Sequence, residues 1–143
     1  MLRTLASTVA FCAAMSGAAW AENFEVQMLN RGEAGTMVFE PSFVRIAPGD
    51  TVTFVPTDRG HNAESIPAMT PTDGTEFAGR INEEIVVTYD VGGLYGVMCK
   101  PHFAMGMVMI VAVGDVAEAP QTFLEGRIPR GAKARFEAQL SNL

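Results

Sequence analysis

The sequence predicts an all-β protein, an antiparallel β-sandwich followed by two short helices at the C-terminus. Three observations predict this fold class. Between Phe24 and Val113 the chain consists largely of short runs in which apolar and polar residues alternate, the period-2 pattern of half-buried strands. Turn-forming residues separate these runs, and helical character is confined to the residues after Asp115. Short strands joined by turns indicate a sandwich.

The alternation and the turns place the individual strands. Pro41 interrupts the second run, which is therefore expected to lie at a sheet edge or to contain a bulge. The turns Ala47-Pro48-Gly49-Asp50 and Gly92-Gly93 bound two further runs, because proline presets φ and glycine accepts positive φ. Residues 63–75 are expected to form a loop with at most one helical turn. The predicted strands cover residues 24–28, 37–46, 51–55, 84–89, 94–99 and 107–113.

The composition changes after Asp115. Residues 117–125 contain a single β-branched residue, and Gly126 is placed to end a helix there. Phe136, Leu140 and Leu143 follow at positions i, i+4 and i+7, which is one apolar face of a second helix. We therefore predict a sandwich over residues 22–115 and a helical extension over residues 116–143 that covers one face of a sheet.

The first 21 residues have the three parts of a secretory signal peptide. A positive start containing Arg3 precedes an apolar run, and Ala19-Trp20-Ala21 has the small-x-small form of a cleavage site. The apolar run is too short for a membrane anchor. Cleavage after Ala21 would remove Cys12 and leave Cys99 as the one cysteine of the mature chain. A lone thiol in an oxidising compartment needs protection, which metal ligation would supply.

Length and charge narrow the classes of function. The 143 residues suit one domain with a substantial core. The formal charge is −6, and loss of Arg3 with the leader leaves 9 basic and 16 acidic side chains, a charge of −7. This acidic balance argues against nucleic acid as a partner.

Cysteine, histidine and methionine meet in one short segment that follows a predicted strand. Cys99 and His102 are three residues apart, and His61 is the one other histidine of the chain. Thiolate, imidazole and thioether are ligands that suit copper, and two histidines, one cysteine and a weak axial methionine make up the blue-copper arrangement. Spacing alone leaves the axial ligand open between Met105 and Met107. Pro101 lacks an N–H, so one donor that could tune the sulfur is absent.

Zinc and an enzymatic copper site are the alternatives at this segment. The spacing is not that of a zinc finger, and a structural zinc site would favour more thiolates. A copper oxidase or a nitrite reductase needs a further site rich in histidine, and the chain has just two histidines. We therefore predict that the protein is not an enzyme.

Further motifs extend across the chain after the leader. They are Met28-Leu29-Asn30, Met37-Val38-Phe39-Glu40-Pro41, Pro48-Gly49-Asp50-Thr51-Val52-Thr53-Phe54, Gly60-His61-Asn62 and Cys99-x-Pro101-His102-x-Ala104-Met105-Gly106-Met107. Together these segments resemble the pseudoazurins, type I copper electron carriers of the cupredoxin family. The resemblance implies a cupredoxin-like Greek-key sandwich that holds one type I copper ion, which alternates between Cu(I) and Cu(II). It also implies Met107 as the axial ligand, with Met105 outside the site, and Asn62 as a residue whose amide ties the two ligand loops together.

The resemblance further implies that the outer edge of His102 reaches the surface within an apolar docking patch. Exposed apolar area of this kind marks interaction sites. Pseudoazurins carry several lysines around this face, whereas the mature chain has only Lys100 and Lys133, with arginines as substitutes. The candidate docking residues are Met37, Pro56, Arg59, Lys100, Pro101, Ala104 and Met105.

The predicted function is that of a monomeric periplasmic blue copper protein. It would carry single electrons from a respiratory-chain donor such as a cytochrome to a reductase, with nitrite reductase as the expected acceptor. After cleavage of the leader no membrane association is expected. Nine methionines leave open an alternative, copper storage or delivery in the periplasm.

Overall fold

The computed structural model describes residues 20–143. The predicted leader therefore lies outside the described residues, apart from Trp20 and Ala21, which are exposed. Within this range the chain forms eight strands and one α-helix, α1 (Arg130–Leu140). Short 3-10 helices cover Pro67–Met69, Lys100–Met105 and Gln121–Leu124. The strands are β1 (Asn23–Gly32), β2 (Gly35–Glu40), β3 (Phe43–Ile46), β4 (Asp50–Val55), β5 (Glu64–Ser65), β6 (Ile85–Tyr89), β7 (Gly93–Met98) and β8 (Val108–Val113).

The strands form two four-stranded sheets, which confirms the all-β sandwich. The first sheet has the order β2-β1-β4-β6 and the second the order β3-β8-β7-β5. The predicted second strand is divided at Pro41 and Ser42, so that β2 lies in the first sheet and β3 in the second. The chain thus changes sheets at the proline, because a residue without an N–H interrupts a ladder.

Two pairs of neighbouring strands are parallel within the otherwise antiparallel sandwich. β1 and β4 are parallel, and so are β3 and β8, whereas the other neighbouring strands run antiparallel. In both pairs the chain passes through the opposite sheet between the two strands, through β3 for the first pair and through β4 and β6 for the second. Alternation along one strand reveals which face is buried but not which strand lies beside it.

The apolar core has two layers, one on each side of the second sheet. The larger layer lies between the sheets and includes Cys99 and Met107. The smaller one lies between the second sheet and the C-terminal segment, where the rings of Phe123 and Phe136 meet edge to face at 6.2 Å. All six residues of β8 are buried, since this strand has a core layer against each face. The C-terminal segment therefore covers one face of the second sheet.

Only the second of the two predicted C-terminal helices is an α-helix. Phe136 and Leu140 lie on the buried side of α1, and Leu143 packs in the same layer beyond its end. The helix predicted over residues 117–125 is reduced to the 3-10 helix Gln121–Leu124. Pro120 explains the difference, because a proline disfavours the α conformation of the preceding residue. No helix formed by residues 20–143 is long and apolar enough to cross a membrane.

Candidate metal centre

The connection between β7 and β8 holds three of the predicted ligands. Cys99 follows the last residue of β7, and Met107 precedes β8 by one residue, so the predicted start of that strand at Met107 was one residue early. The Cys99 N–H donates to the Met107 carbonyl at 3.0 Å, and the Met107 N–H donates to the His102 carbonyl at 3.1 Å. These bonds close the connection into a compact loop at the end of the β7–β8 hairpin.

Local sequence explains the shape of this loop. Pro101 lies in the first turn of the 3-10 helix, where a missing N–H costs nothing. Gly106 ends that helix with a φ of 91°, the left-handed conformation that glycine adopts most easily. The chain can therefore turn back sharply and place Met107 beside Cys99.

His61 reaches the same point from the connection between β4 and β5. The preceding Gly60 has a φ of 97°, and its N–H donates to the Asn82 Oδ1 at 2.7 Å. The Asn82 N–H in turn donates to the His61 carbonyl at 2.8 Å. The His61 side chain is buried, with no solvent exposure. A fixed turn thus presents this imidazole to the interior.

The donor atoms of His61, Cys99 and His102 lie close together. The two Nδ1 atoms are 3.1 Å apart, and the Cys99 Sγ lies 3.7 Å from the Nδ1 of His61 and 3.5 Å from that of His102. A circle through three points at these separations has a radius of about 2.0 Å, close to the ~2.0–2.3 Å at which imidazole and thiolate bind a transition-metal ion. The three donors therefore fit one metal ion.

The two methionines of the loop have opposite surroundings. Met107 is fully buried in the same core layer as Cys99, whereas Met105 is 54% exposed. This difference favours Met107 as the fourth donor and places Met105 on the surface. The donor set is then two nitrogens, a thiolate and a thioether, which suits copper.

Burial affects the protonation of two donors. Burial, together with the neighbouring His102, lowers the pKa of His61, so its imidazole is kept neutral as metal ligation requires. Burial raises the pKa of the Cys99 thiol, while the backbone N–H groups of Asn62 and His102 act in the opposite direction. The thiol therefore carries a proton at neutral pH that a metal ion must displace.

Asn30 orients His61, a role that the sequence analysis missed. The Nε2 of His61 lies 2.8 Å from the Asn30 Oδ1, which accepts its proton and leaves the Nδ1 lone pair for a metal ion. The Asn30 N–H donates to the Asp58 Oδ2 at 2.7 Å, which holds Asn30 in place. Asn30 and His61 are 31 residues apart, so no local pattern links them. The one signal in the sequence was that Asn30 belongs to the Met28-Leu29-Asn30 motif.

Asn62 connects the two ligand loops. Its Oδ1 accepts the Lys100 N–H at 2.9 Å, and its Nδ2 donates to the Gly79 carbonyl at 2.9 Å and to the Glu64 Oε1 at 3.0 Å. The side chain thus links the His61 loop to the residue after Cys99. Pro101, the residue expected to leave the sulfur with one donor fewer, is exposed.

The candidate docking residues differ in exposure. Met37 and Pro56 are half-buried, and Met37 packs against the core layer that contains Cys99. His102 is also half-buried, unlike His61. The exposed members of the set are Arg59, Lys100, Pro101, Ala104 and Met105.

A two-sheet sandwich with a buried cysteine, two histidines and a methionine at one end defines the class of type I copper proteins. Residues 26–114 match the family described as copper binding proteins, plastocyanin/azurin family. The chain is 44% identical over 140 residues to the pseudoazurin of Paracoccus pantotrophus, covering 98% of this chain and 97% of the relative. It is 47% identical over 111 residues to the pseudoazurin of Methylorubrum extorquens, covering 77% and 74%.

The crystal structure of pseudoazurin from Methylobacterium extorquens AM1 superposes with a TM-score of 0.79 at 38% identity, covering 84% of this chain and 98% of that one. The chain belongs to the pseudoazurins, within the plastocyanin/azurin family of copper-binding proteins. It is a blue copper electron-transfer protein whose cofactor is one type I copper ion. The family and the cofactor expected from the sequence are thereby confirmed.

Proposed function

We propose that His61, Cys99, His102 and Met107 bind the copper ion of a periplasmic single-electron carrier. The observation that supports the assignment is the meeting of three donor atoms, all within 4.8 Å of one another, beside a buried methionine. Copper supplies the single-electron chemistry by alternating between Cu(I) and Cu(II). The protein supplies the donors, their orientation and the exclusion of water.

The difference in burial between the two histidines gives the electron an exit. His61, Cys99 and Met107 have no solvent exposure, whereas His102 is half-buried. Partners therefore approach closest on the His102 side. Because three donors are enclosed, a substrate has no open approach to the metal, which supports a carrier rather than an enzyme.

The proposed docking patch consists of exposed residues from the two loops that carry His61 and His102. Ala104 and Met105 supply apolar area, and Arg59 and Lys100 supply positive charge. Small apolar contacts with few charges suit brief encounters between redox proteins. We propose a cytochrome as the electron donor and nitrite reductase as the acceptor, with this protein acting as a monomer.

Export to the periplasm fits the chemistry of the mature chain. Cleavage of the predicted leader would remove Cys12. Cys99, the free cysteine of the described residues, is fully buried. Burial beside two imidazoles shields the thiol from oxidants and from other thiols. Amino-terminal sequencing of the exported protein tests this part, with a start at Glu22 as the expected result.

Copper reconstitution tests the ligand assignment. The Cu(II) protein should show an intense blue thiolate-to-copper band and narrow copper hyperfine splitting. Cys99→Ser should bind copper without the blue band, because a hydroxyl does not replace the thiolate. A colourless wild-type protein that nevertheless binds copper would show that the assignment is wrong.

The acceptor is tested by the rate at which the reduced protein delivers electrons to purified copper nitrite reductase. Rapid reoxidation, with copper retained through many cycles, is the expected result. Transfer of the copper ion itself to an acceptor protein would instead indicate the storage or delivery function.

A further inference from the structure

Arg135, in the middle of α1, joins three backbone carbonyls from two distant segments. Its Nη1 donates to the Met37 carbonyl at 2.6 Å and to the Gly106 carbonyl at 2.9 Å, and its Nη2 donates to the Thr36 carbonyl at 2.7 Å. Thr36 and Met37 belong to β2 in the first sheet, whereas Gly106 is the residue before Met107. One guanidinium therefore links the metal loop to the opposite sheet.

The start of α1 also lies directly against the metal loop. A Cβ at Gly106 would lie 3.0 Å from the backbone carbon and oxygen of Gly131 and 3.3 Å from the Cδ of Arg135. A Cβ at Gly131 would lie 3.7 Å from the Ala104 and Met105 backbone. The missing side chain of Gly106 thus permits a close approach that a Cβ would crowd, whereas a Cβ at Gly131 would make an ordinary van der Waals contact.

The bonds from Arg135 constrain a residue that is otherwise easy to turn. Glycine has more accessible backbone conformations than any other residue, and Gly106 has a φ of 91°. The backbone bonds of Met107 lead to Cys99 and His102, which belong to the same loop. They fix the internal shape of the loop, while Arg135 fixes where Gly106 lies relative to β2.

We propose that Arg135 is a positioning residue for the axial ligand. Its charge-assisted hydrogen bonds hold Gly106 against Met37 and so keep the Met107 thioether in place beside the other three donors. The inference rests on the proposed ligand assignment. It gives α1 a role beyond covering the second sheet, because the helix carries the group that sets the geometry of the metal loop.

Arg135→Gln tests this role because glutamine cannot bridge three carbonyls. Arg130→Gln is the matched control, since Arg130 is the exposed first residue of the same helix. Arg135→Lys is the conservative variant, which keeps the charge but lacks the planar fork. Each protein is studied with and without copper, by thermal unfolding, by competition with a copper chelator, and by the ratio of the two thiolate-to-copper absorption bands.

In Arg135→Gln the copper affinity should fall about 10- to 100-fold, the usual effect of removing a group that orients a ligand. A tenfold loss removes about 1.4 kcal/mol of the stabilisation that copper confers. The band ratio should change as well. Arg135→Lys should lie between Arg135→Gln and wild type, and Arg130→Gln should match wild type in affinity and band ratio.

A purely structural role predicts a different result. The free and copper-loaded forms of Arg135→Gln would then lose equal stability, with unchanged affinity and band ratio, and the inference would be wrong. If Arg135→Gln does not fold, Arg135→Lys decides between the two roles by the same measurements. A wild-type protein without the blue band would instead overturn the ligand assignment, and the inference with it.

Discussion

The Cys99 thiol is protonated when copper arrives. Burial raises its pKa above the usual range of a thiol, so near neutral pH each copper ion bound should release one proton from this residue. The apparent copper affinity should therefore rise about tenfold per pH unit between pH 7 and 8.5. Chelator competition at several pH values measures the slope, and an affinity independent of pH would contradict the assignment of Cys99.

Met107 and Met105 should respond differently to the same substitution. Leucine has a similar volume, so Met107→Leu should cost less than about 1.5 kcal/mol of stability while removing the thioether. It should change the ratio of the copper absorption bands and the reduction potential, since the axial ligand tunes both.

Met105→Leu is the control, because its side chain is 54% exposed and should leave both properties unchanged. The reverse pattern, with Met105→Leu altering the spectrum, would make Met105 the ligand.

The sequence predicts the candidate metal-binding residues better than it predicts the residues that orient them. Cys99, His61 and His102 could be chosen because the mature chain has so few cysteines and histidines. Asn30 and Arg135 act through contacts 29 to 99 residues apart, and neither type is rare enough to suggest a role by itself. Their partners become visible only once the chain is folded.

The α1 helix is attached to the second sheet mainly through its apolar side. Phe136 is fully buried there, so Phe136→Ala should lower the free energy of unfolding by about 3–5 kcal/mol. The adjacent Glu137 is exposed, and Glu137→Ala should change it by no more than about 0.5 kcal/mol. Denaturant titration of the metal-free proteins measures both values. Similar losses in the two variants would mean that the helix does not contribute through its buried side.

Strands and helices could be predicted where the local sequence pattern determines them. They could not be predicted where tertiary contacts or strand pairing determine them. The alternation in β4 and β6 identified these strands because their outward faces meet water. The same pattern could not reveal the parallel pairing of β1 with β4, which depends on how the chain passes between sheets. For residues 117–125 the composition suggested a helix, but the effect of Pro120 on its neighbour prevailed.

The rate of electron transfer should depend on where charges lie on the molecule more than on its net charge. Lys100 is an exposed residue of the metal loop, in a protein that is acidic as a whole. Lys100→Gln should slow electron transfer to an acidic nitrite reductase at low salt, and the difference should disappear at high salt because ions screen the attraction.

Asp90→Asn is the control for that experiment. Asp90 is exposed and directly follows Tyr89, the last residue of β6. Tyr89 pairs with Asp50 at the start of β4, and His61 lies beyond the other end of β4. Asp90 and His61 are therefore at opposite ends of the sandwich. This substitution changes the net charge by one unit in the opposite direction, at the far end of the sandwich, and should have little effect on the rate. An acceleration in Asp90→Asn as large as the slowing in Lys100→Gln at low salt would argue against docking near Lys100.

The rigidity of the predicted copper site should affect the rate of electron exchange. His61 is fastened through Asn30 and Asn82, and the Cys99 loop through Asn62, so the backbone resists any change in the shape of the cage. If the positions of the donor atoms are fixed, their geometry would be the same for Cu(I) and for Cu(II). Few nuclei would then have to move when an electron arrives or departs, and the resulting low reorganisation energy would favour rapid electron exchange with the proposed partners.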